Sequence, residues 1–184
     1  MTRSVGEVIR TRRSVNRFAP GQCPPADLIR EAIGHAVWAP NHHLSQPWRF
    51  YLLGPQTAER ICLLNAEMVR AQQGDKAADI KLRRWRAVPG WLLLTCVEST
   101  EELRRREDFA ACCCAAQNLM LFLWDRNVGV KWTTGQVTRD DRFYDIAGIS
   151  PQAEQVVGLF WYGVPAESLV STRQPADAVI VERP

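Results

Sequence analysis

Two adjacent arginines and a serine near the N-terminus, Arg12, Arg13 and Ser14, form the first group with clear chemical potential, and Arg17 follows closely. Guanidinium groups present paired N–H donors that match phosphate oxygens, and the serine hydroxyl adds another donor. Hydrogen bonds to charged groups contribute about 1.5–3 kcal/mol each, so the group fits a phosphate-binding site. The alternative is that the arginines only end a helix, where the helix dipole favours cations.

A second group lies in residues 39–48, where two prolines, Asn41 and the adjacent His42 and His43 share one short connection. Polar side chains on a rigid loop are typical of binding residues. Adjacent histidines raise the question of a metal ion, but the sequence contains no HxH or HExxH pattern, and His35 is the only other histidine. We therefore predict no metal site.

A third group, Trp132, Thr133 and Thr134, lies between glycines in residues 129–135. Two hydroxyls beside a glycine can hydrogen-bond a planar ligand that comes close to the backbone, although ordinary strand-to-turn junctions look similar. The sequence has no glycine-rich phosphate loop, no nucleophile elbow and no nucleophile–base pair. We therefore expect no catalytic side chain and predict that a bound cofactor performs the chemistry.

The composition indicates a soluble globular protein with a single domain, 1–184. Apolar residues make up 46% of the chain, and the net charge of +3 is too small and too scattered to indicate nucleic-acid binding. The most apolar stretch, 109–124, is too short to span a membrane, and no apolar signal region precedes the domain. Six cysteines without metal-site or secreted-disulfide spacing predict reduced thiols in the core and a cytoplasmic location.

Hydrophobic periodicity predicts an α+β domain in which helices surround a sheet of about four strands. Helices are predicted at 4–12, 28–37, 57–72, 101–127 and 142–148, and strands at 48–53, 91–97, 130–132 and 155–164. Thr57 is predicted to cap the third helix. Segment 74–88 is polar and is expected to be mobile, with a helical patch at 80–85. A strand-like piece at 179–181 lacks a turn that would fold it back, which favours pairing with a partner chain.

The three groups occur in the order and spacing of the FMN-dependent nitroreductase superfamily. Its signature is a helix that ends in Arg-Arg-Ser, then a loop that ends in Gln-Pro-Trp before a strand, then a Gly-x-x-Trp-x-Thr-Gly segment after a long helix. Here these are residues 12–14, 39–48 and 129–135. The chain resembles the compact bacterial branch of this superfamily over most of its length, least between about 55 and 88 and after 165.

The resemblance implies an α+β homodimer with a mixed or antiparallel central sheet and a C-terminal tail exchanged with the dimer partner, which would account for 179–181. It also implies two FMN molecules at the subunit interface. Arg12, Arg13 and Ser14 would hold the phosphate, ribityl and pyrimidine side of FMN, and His42 would contact the flavin of the partner subunit. The remaining contacts near the phosphate end would come from Trp132, Thr133, Thr134 and Arg173.

The activity implied by the resemblance is a ping-pong transfer of hydride from NAD(P)H through FMN to a nitroaromatic, quinone or similar small electron-poor acceptor. Two alternatives stay open: a different reaction on the same fold, such as dehalogenation or flavin-consuming chemistry, and flavin binding without turnover. Two positions depart from the family pattern. Asn16 stands where many larger members have a lysine, so the cation beside the flavin C2 carbonyl is unassigned, and Trp38 stands where the compact branch can place an arginine.

Overall fold

A four-stranded antiparallel sheet forms the centre of the protein, as a computed structural model that describes residues 3–184 shows. The strands are β1 (Trp48–Leu52), β2 (Gly90–Val97), β3 (Gly129–Thr133) and β4 (Glu154–Gly163), in the order β1-β2-β4-β3. The helices are α1 (Val5–Thr11), α2 (Ala26–Ala36), α3 (Pro55–Gln73), α4 (Asp75–Arg86), α5 (Glu102–Asp125) and α6 (Asp141–Ala147). The predicted α+β class is confirmed, and the sheet is antiparallel rather than mixed.

Strand β2 lies inside the sheet and is buried on both faces, which explains its uninterrupted apolar sequence. Alternate residues enter different clusters, because successive side chains of a strand point to opposite faces. Leu92 and Leu94 pack with α5 and α2 on one face, whereas Trp91 and Leu93 pack with α3 and α6 on the other. The predicted central helix is α5, whose buried side includes the small residues Ala111, Cys112, Ala115 and Ala116, which let it lie close to the sheet.

Two local predictions about the region after β1 are wrong. Helix α3 begins at Pro55 with Gly54 as its N-cap, so Thr57 lies within the first turn and does not cap the helix. Proline suits this position because its fixed φ is already helical and its missing N–H would have had no partner. The next segment is a continuous twelve-residue helix, α4, rather than a mobile stretch with a helical patch at 80–85.

Helix α4 forms because it packs back onto α3. Gly74 has a φ of 82°, and this left-handed conformation allows the sharp turn between the two helices. Ala78 and Trp85 are then buried, while Arg70 of α3 pairs with Asp75 at 2.7 Å and with Asp79 at 3.5 Å. The polar sequence of α4 reflects its exposed side, and its few apolar residues are enough to hold it in place.

The chain beyond β4 is largely exposed, and its one regular element is a short 3₁₀ turn at Ala176–Ala178. Val179, Ile180 and Val181 are exposed and form no strand within this single chain. The predicted pairing of 179–181 with a partner chain, and the exchange of the tail, stay predictions.

The six cysteines are free thiols, and they divide between core and surface. Cys62, Cys96 and Cys112 are buried, as predicted, and Cys113 is half-buried. Cys23 and Cys114 are exposed, so the prediction of core thiols is wrong for these two. Across residues 3–184, no helix is long and apolar enough to cross a bilayer.

Candidate functional site

The segment that follows α1 runs along the outer edge of β3. Ser14 forms a parallel β-bridge with Val130, and the Val15 N–H donates to the Val130 carbonyl at 3.1 Å. Val15 is fully buried against Gly129, where an added Cβ would lie 2.4 Å from the Val15 Cγ2. The fold therefore brings the Arg-Arg-Ser motif beside the Gly129–Thr133 strand, although more than a hundred residues separate them in the chain.

The guanidinium groups of this segment lack acidic partners. Burial, followed by the positive charges of Arg13 and Arg173, lowers the pKa of Arg12. Arg13 donates to the carbonyls of Arg10 at 2.7 Å and of Arg12 at 2.9 Å, but its buried Nε has no hydrogen-bond partner among the described residues. We name Arg12, Arg13 and Arg173 the arginine cluster. None of the three forms an ion pair within residues 3–184, so the positive charge of the cluster favours an anionic ligand.

A cavity of about 240 Å³ opens at the next residues of the same segment, between α3, α4 and β3. Its polar lining includes Asn16, Asn65, Lys81, Arg84, Lys131 and Thr133. Trp161 lines it as well. The buried amide nitrogen of Asn65 and indole nitrogen of Trp161 have no hydrogen-bond partner in the described chain. Both nitrogens have almost no accessible surface, so they belong to the wall behind the cavity rather than to its open face.

The charge in the cavity is positive. No carboxylate of the described residues lines it, whereas Lys81, Arg84 and Lys131 do. Burial, then the charges of Arg84 and Lys81, lowers the pKa of Lys131. The ammonium of Lys131 lies 4.9 Å from the centroid of the Trp161 ring, which provides a cation–π contact. The cavity thus favours electron-rich or negatively charged groups.

The three residues predicted at the end of β3 have different positions. Thr133 lines the cavity, and Thr134 is exposed next to it. The side chain of Trp132 lies on the opposite face of the sheet, where its indole N–H donates to the Val157 carbonyl at 3.0 Å and its ring stacks on Phe160. Trp132 therefore packs against the core and does not line the cavity.

The loop that carries His42 is conformationally strained. His43, Leu44 and Gln46 have φ values of 55°, 50° and 46°, which are uncommon for residues with a Cβ and cost about 1–3 kcal/mol each. Asn41 stabilises the loop, since its Oδ1 accepts from the Gln46 N–H at 2.6 Å and its Nδ2 donates to the Ser45 hydroxyl at 3.0 Å. His42 is exposed and does not line the cavity of its own chain, so its contact with a partner's flavin stays a prediction.

Asp108 of α5 anchors this loop from below. Its carboxylate is 5% exposed, accepts a hydrogen bond from the Ser45 hydroxyl and lies 3.5 Å from Arg104. We expect Asp108→Ala to lower the free energy of unfolding by about 1–3 kcal/mol, because the buried Ser45 contact loses its charged acceptor. Urea unfolding measures this loss.

Two comparisons make that prediction sharper. Asp108→Asn keeps one acceptor oxygen and should retain most of the stability, while Glu102→Ala, an exposed acid of the same helix, should change it by less than about 0.5 kcal/mol. Equal stability of the Asp108→Ala variant and the unaltered protein would show that the loop does not depend on this carboxylate.

Sequence reasoning missed Asn65, Lys131 and Trp161 as site residues. Asn65 and Trp161 are buried within α3 and β4, and in each element the position is that of an ordinary core residue. Only Lys131 could have been noticed in the sequence as a site residue, because it is a charged residue between the apolar Val130 and Trp132 in a predicted strand. Their shared cavity becomes visible only when α3, β3 and β4 are assembled.

The fold and site define a class: an α+β protein with a cation-lined cavity and an adjoining arginine cluster, suited to a phosphorylated cofactor. The model of the Nitroreductase family matches residues 9–164. The chain belongs to the nitroreductase family, as the sequence predicted.

Curated relatives and solved structures agree with this family. The chain is 28% identical over 166 residues to the Putative NAD(P)H nitroreductase YfhC of Bacillus subtilis. This alignment covers 88% of this chain and 84% of YfhC. It is 26% identical over 163 residues to the Putative NAD(P)H nitroreductase YdjA of Escherichia coli, with coverages of 86% and 87%. The crystal structure of a nitroreductase-like family protein from Bacillus cereus is 28% identical, covers 100% and 97% of the two chains and superposes with a TM-score of 0.86. A nitroreductase from Desulfovibrio desulfuricans, solved in complex with FMN, is 21% identical, with a TM-score of 0.78 and coverages of 100% and 99%.

Proposed function

We propose that this protein is a cytoplasmic, homodimeric FMN-dependent oxidoreductase that transfers hydride from NAD(P)H to a small electron-poor acceptor, such as a nitroaromatic or a quinone. The observation that carries the proposal is the positive charge without acidic partners in the described chain: the arginine cluster and, beside it, the cavity lined by Lys81, Arg84 and Lys131. The names of the YfhC and YdjA relatives and the FMN in the Desulfovibrio structure support it. The free thiols support a reducing compartment.

The residues present fit FMN. The arginine cluster offers charged donors for the phosphate, and the polar side chains that line the cavity, among them Asn16 and Thr133, offer hydrogen bonds for the pyrimidine ring. Residues 12–16 connect the two, and four residues of extended chain span at most about 13–14 Å, which leaves room for a ribityl chain between them. Ser14 lies between the two ends, where its hydroxyl can bind either the phosphate or the ribityl group.

When bound, FMN would supply the redox chemistry by accepting a hydride and passing it to the acceptor. The described residues would contribute binding and electrostatics. Arg12, Arg13 and Arg173 would hold the phosphate, Asn16 would donate to the pyrimidine edge, and Thr133 and Thr134 would close the pocket beside it. No side chain acts as a catalytic acid or base in this proposal.

The proposed dimer would complete the site. Trp38 precedes the strained loop and Leu44 lies within it. They are 84% and 77% exposed in the single chain, so a second copy could bury them. The partner would then place its own His42 against the flavin, and the exposed 179–181 segment would pair with the neighbouring chain. Sedimentation of the FMN-loaded protein tests this arrangement directly.

Anaerobic reduction provides the test of the proposed function. The purified protein should be yellow or become yellow with FMN, and NADH or NADPH should bleach its flavin absorbance, which a nitroaromatic or quinone then restores. Bleaching without reoxidation by these acceptors would point to a different reaction on the same fold. A flavin that binds and does not bleach would identify a binding protein without turnover, and a protein that stays colourless with added FMN would contradict the proposal entirely.

A further inference from the structure

Three cations line the cavity without an acidic partner. Lys81 and Arg84 come from α4 and Lys131 from β3, and none of them forms an ion pair within residues 3–184. Two other basic residues of the neighbouring helices, Arg70 and Arg86, do pair with acids, Asp75 and Glu59. Since no carboxylate of the described residues lines the cavity, its positive charge is not compensated there.

Lys131 is the most firmly positioned of these cations. It lies in β3 directly opposite Trp161 of β4, so the strand register sets its place in the cavity. Its side chain is half-buried, and its ammonium lies over the Trp161 ring, whose own N–H is without a partner. A half-buried cation without an acid is partly desolvated, and a ligand that supplies negative charge would offset this cost.

We infer that Lys131, with Lys81 and Arg84 behind it, supplies the positive charge beside the pyrimidine ring of FMN and thereby favours the reduced cofactor. This inference rests on the proposed function. Oxidised flavin carries no charge on its ring, whereas reduction places negative charge on the N1 and C2-carbonyl side. A cation at this edge therefore binds the reduced form more tightly than the oxidised form, and it raises the reduction potential by the same free energy.

The structure also explains why Asn16 need not be a cation. Asn16 lines the same cavity as Lys131, and the two residues lie on neighbouring parallel segments, residues 14–16 and β3. An amide at position 16 can still donate a hydrogen bond to a carbonyl oxygen of the ring. The charge would then come from the strand rather than from the segment that follows α1.

The test is the reduction potential of bound FMN in a Lys131→Met variant, which removes the charge and keeps most of the side-chain volume. We expect the equilibrium between oxidised and reduced flavin to shift at least about tenfold toward the oxidised form, which is about 30 mV for a two-electron couple. Reduced FMN should correspondingly lose affinity about tenfold more than oxidised FMN. Lys131→Arg should restore the potential of the unaltered protein.

Lys76→Met is the matched control, because Lys76 is exposed in the first turn of α4 and does not line the cavity. Lys76→Met should change the equilibrium constant between oxidised and reduced bound flavin by less than about twofold, because solvent ions screen a charge at an exposed site. Lys81→Met and Arg84→Met provide a second test on α4, independent of any effect of position 131 on folding. Both should shift the potential in the direction of Lys131→Met, by smaller amounts.

The outcomes separate the inference from the proposed function. A protein that takes up no FMN contradicts the proposed function, and the inference with it. FMN that binds and bleaches, with the same potential in the Lys131→Met, Lys81→Met, Arg84→Met and Lys76→Met variants, contradicts the inference alone. If Lys131→Met loses the same affinity for oxidised and for reduced FMN, the lysine binds both forms equally and does not set the reduction potential. That result would also overturn the inference.

Discussion

Replacing Arg12 and Arg13 together with alanine is expected to weaken FMN binding about 10²–10⁴-fold, since each charged hydrogen bond contributes about 1.5–3 kcal/mol. Riboflavin, which has the same ring and ribityl chain but no phosphate, should bind both proteins almost equally. The reason is that these guanidiniums carry positive charge without acidic partners, and the buried Nε of Arg13 is without an acceptor. Fluorescence titration of the apoprotein with FMN and with riboflavin measures the two affinities.

Arg10→Ala is the control for this experiment. Arg10 lies in the last turn of the same helix, carries the same charge and is exposed. Its loss should change FMN affinity by no more than a few fold, through long-range electrostatics alone. If the Arg12/Arg13 variant loses FMN and riboflavin equally, the two arginines support the fold of the site rather than the phosphate.

The second large effect is expected from Gly129→Ala. A Cβ at this position would lie 2.4 Å from the Val15 Cγ2 and 3.0 Å from the Pro165 Cγ, so the segment that carries the arginines must move away from β3. Overpacking of this kind lowers the free energy of unfolding by about 1–3 kcal/mol. FMN affinity should fall at the same time, because the arginine cluster loses its fixed position beside the cavity. Chemical denaturation and FMN titration measure the two effects.

Gly34→Ala distinguishes a steric effect from the general effect of adding a methyl group to glycine. Gly34 lies within α2, and its Cβ would meet no atom within 4 Å, so alanine should stabilise the protein by about 0.5–1 kcal/mol. The double variant Val15→Ala/Gly129→Ala should lose less free energy of unfolding than the two single variants together, because the smaller side chain at position 15 relieves the clash. Strictly additive losses would contradict the close contact between the two residues.

Sequence reasoning located the elements whose pattern reflects direct burial. Strand β2 and helix α5 were predicted almost to their ends, because β2 is apolar throughout and the second half of α5 meets apolar neighbours on most sides. Only the 80–85 part of helix α4 was predicted, because Ala78 and Trp85 are its only buried residues and its stability comes from α3 and from the turn at Gly74. Contacts between elements, rather than local propensity, decide such a helix.

Some residues of the candidate site could likewise be predicted from the sequence, and others could not. The stretches around Ser14 and Thr133 could be predicted as partners because the family signature preserves their order, and the structure brings them together through the Ser14–Val130 bridge. The donors of Asn65 and Trp161 could not be predicted, since each residue looks like an ordinary core position in its own element. Their lack of partners is a property of the assembled cavity and has no counterpart in the linear sequence.

The bridge between Ser14 and Val130 also covers part of an outer strand of the sheet. Strand β3 is the last strand of the sheet, and an uncovered outermost strand offers free backbone N–H and C=O groups with which other molecules can pair. We therefore expect a change that detaches the residues after α1 to expose a template for intermolecular β-pairing at the same time as it displaces the arginine cluster.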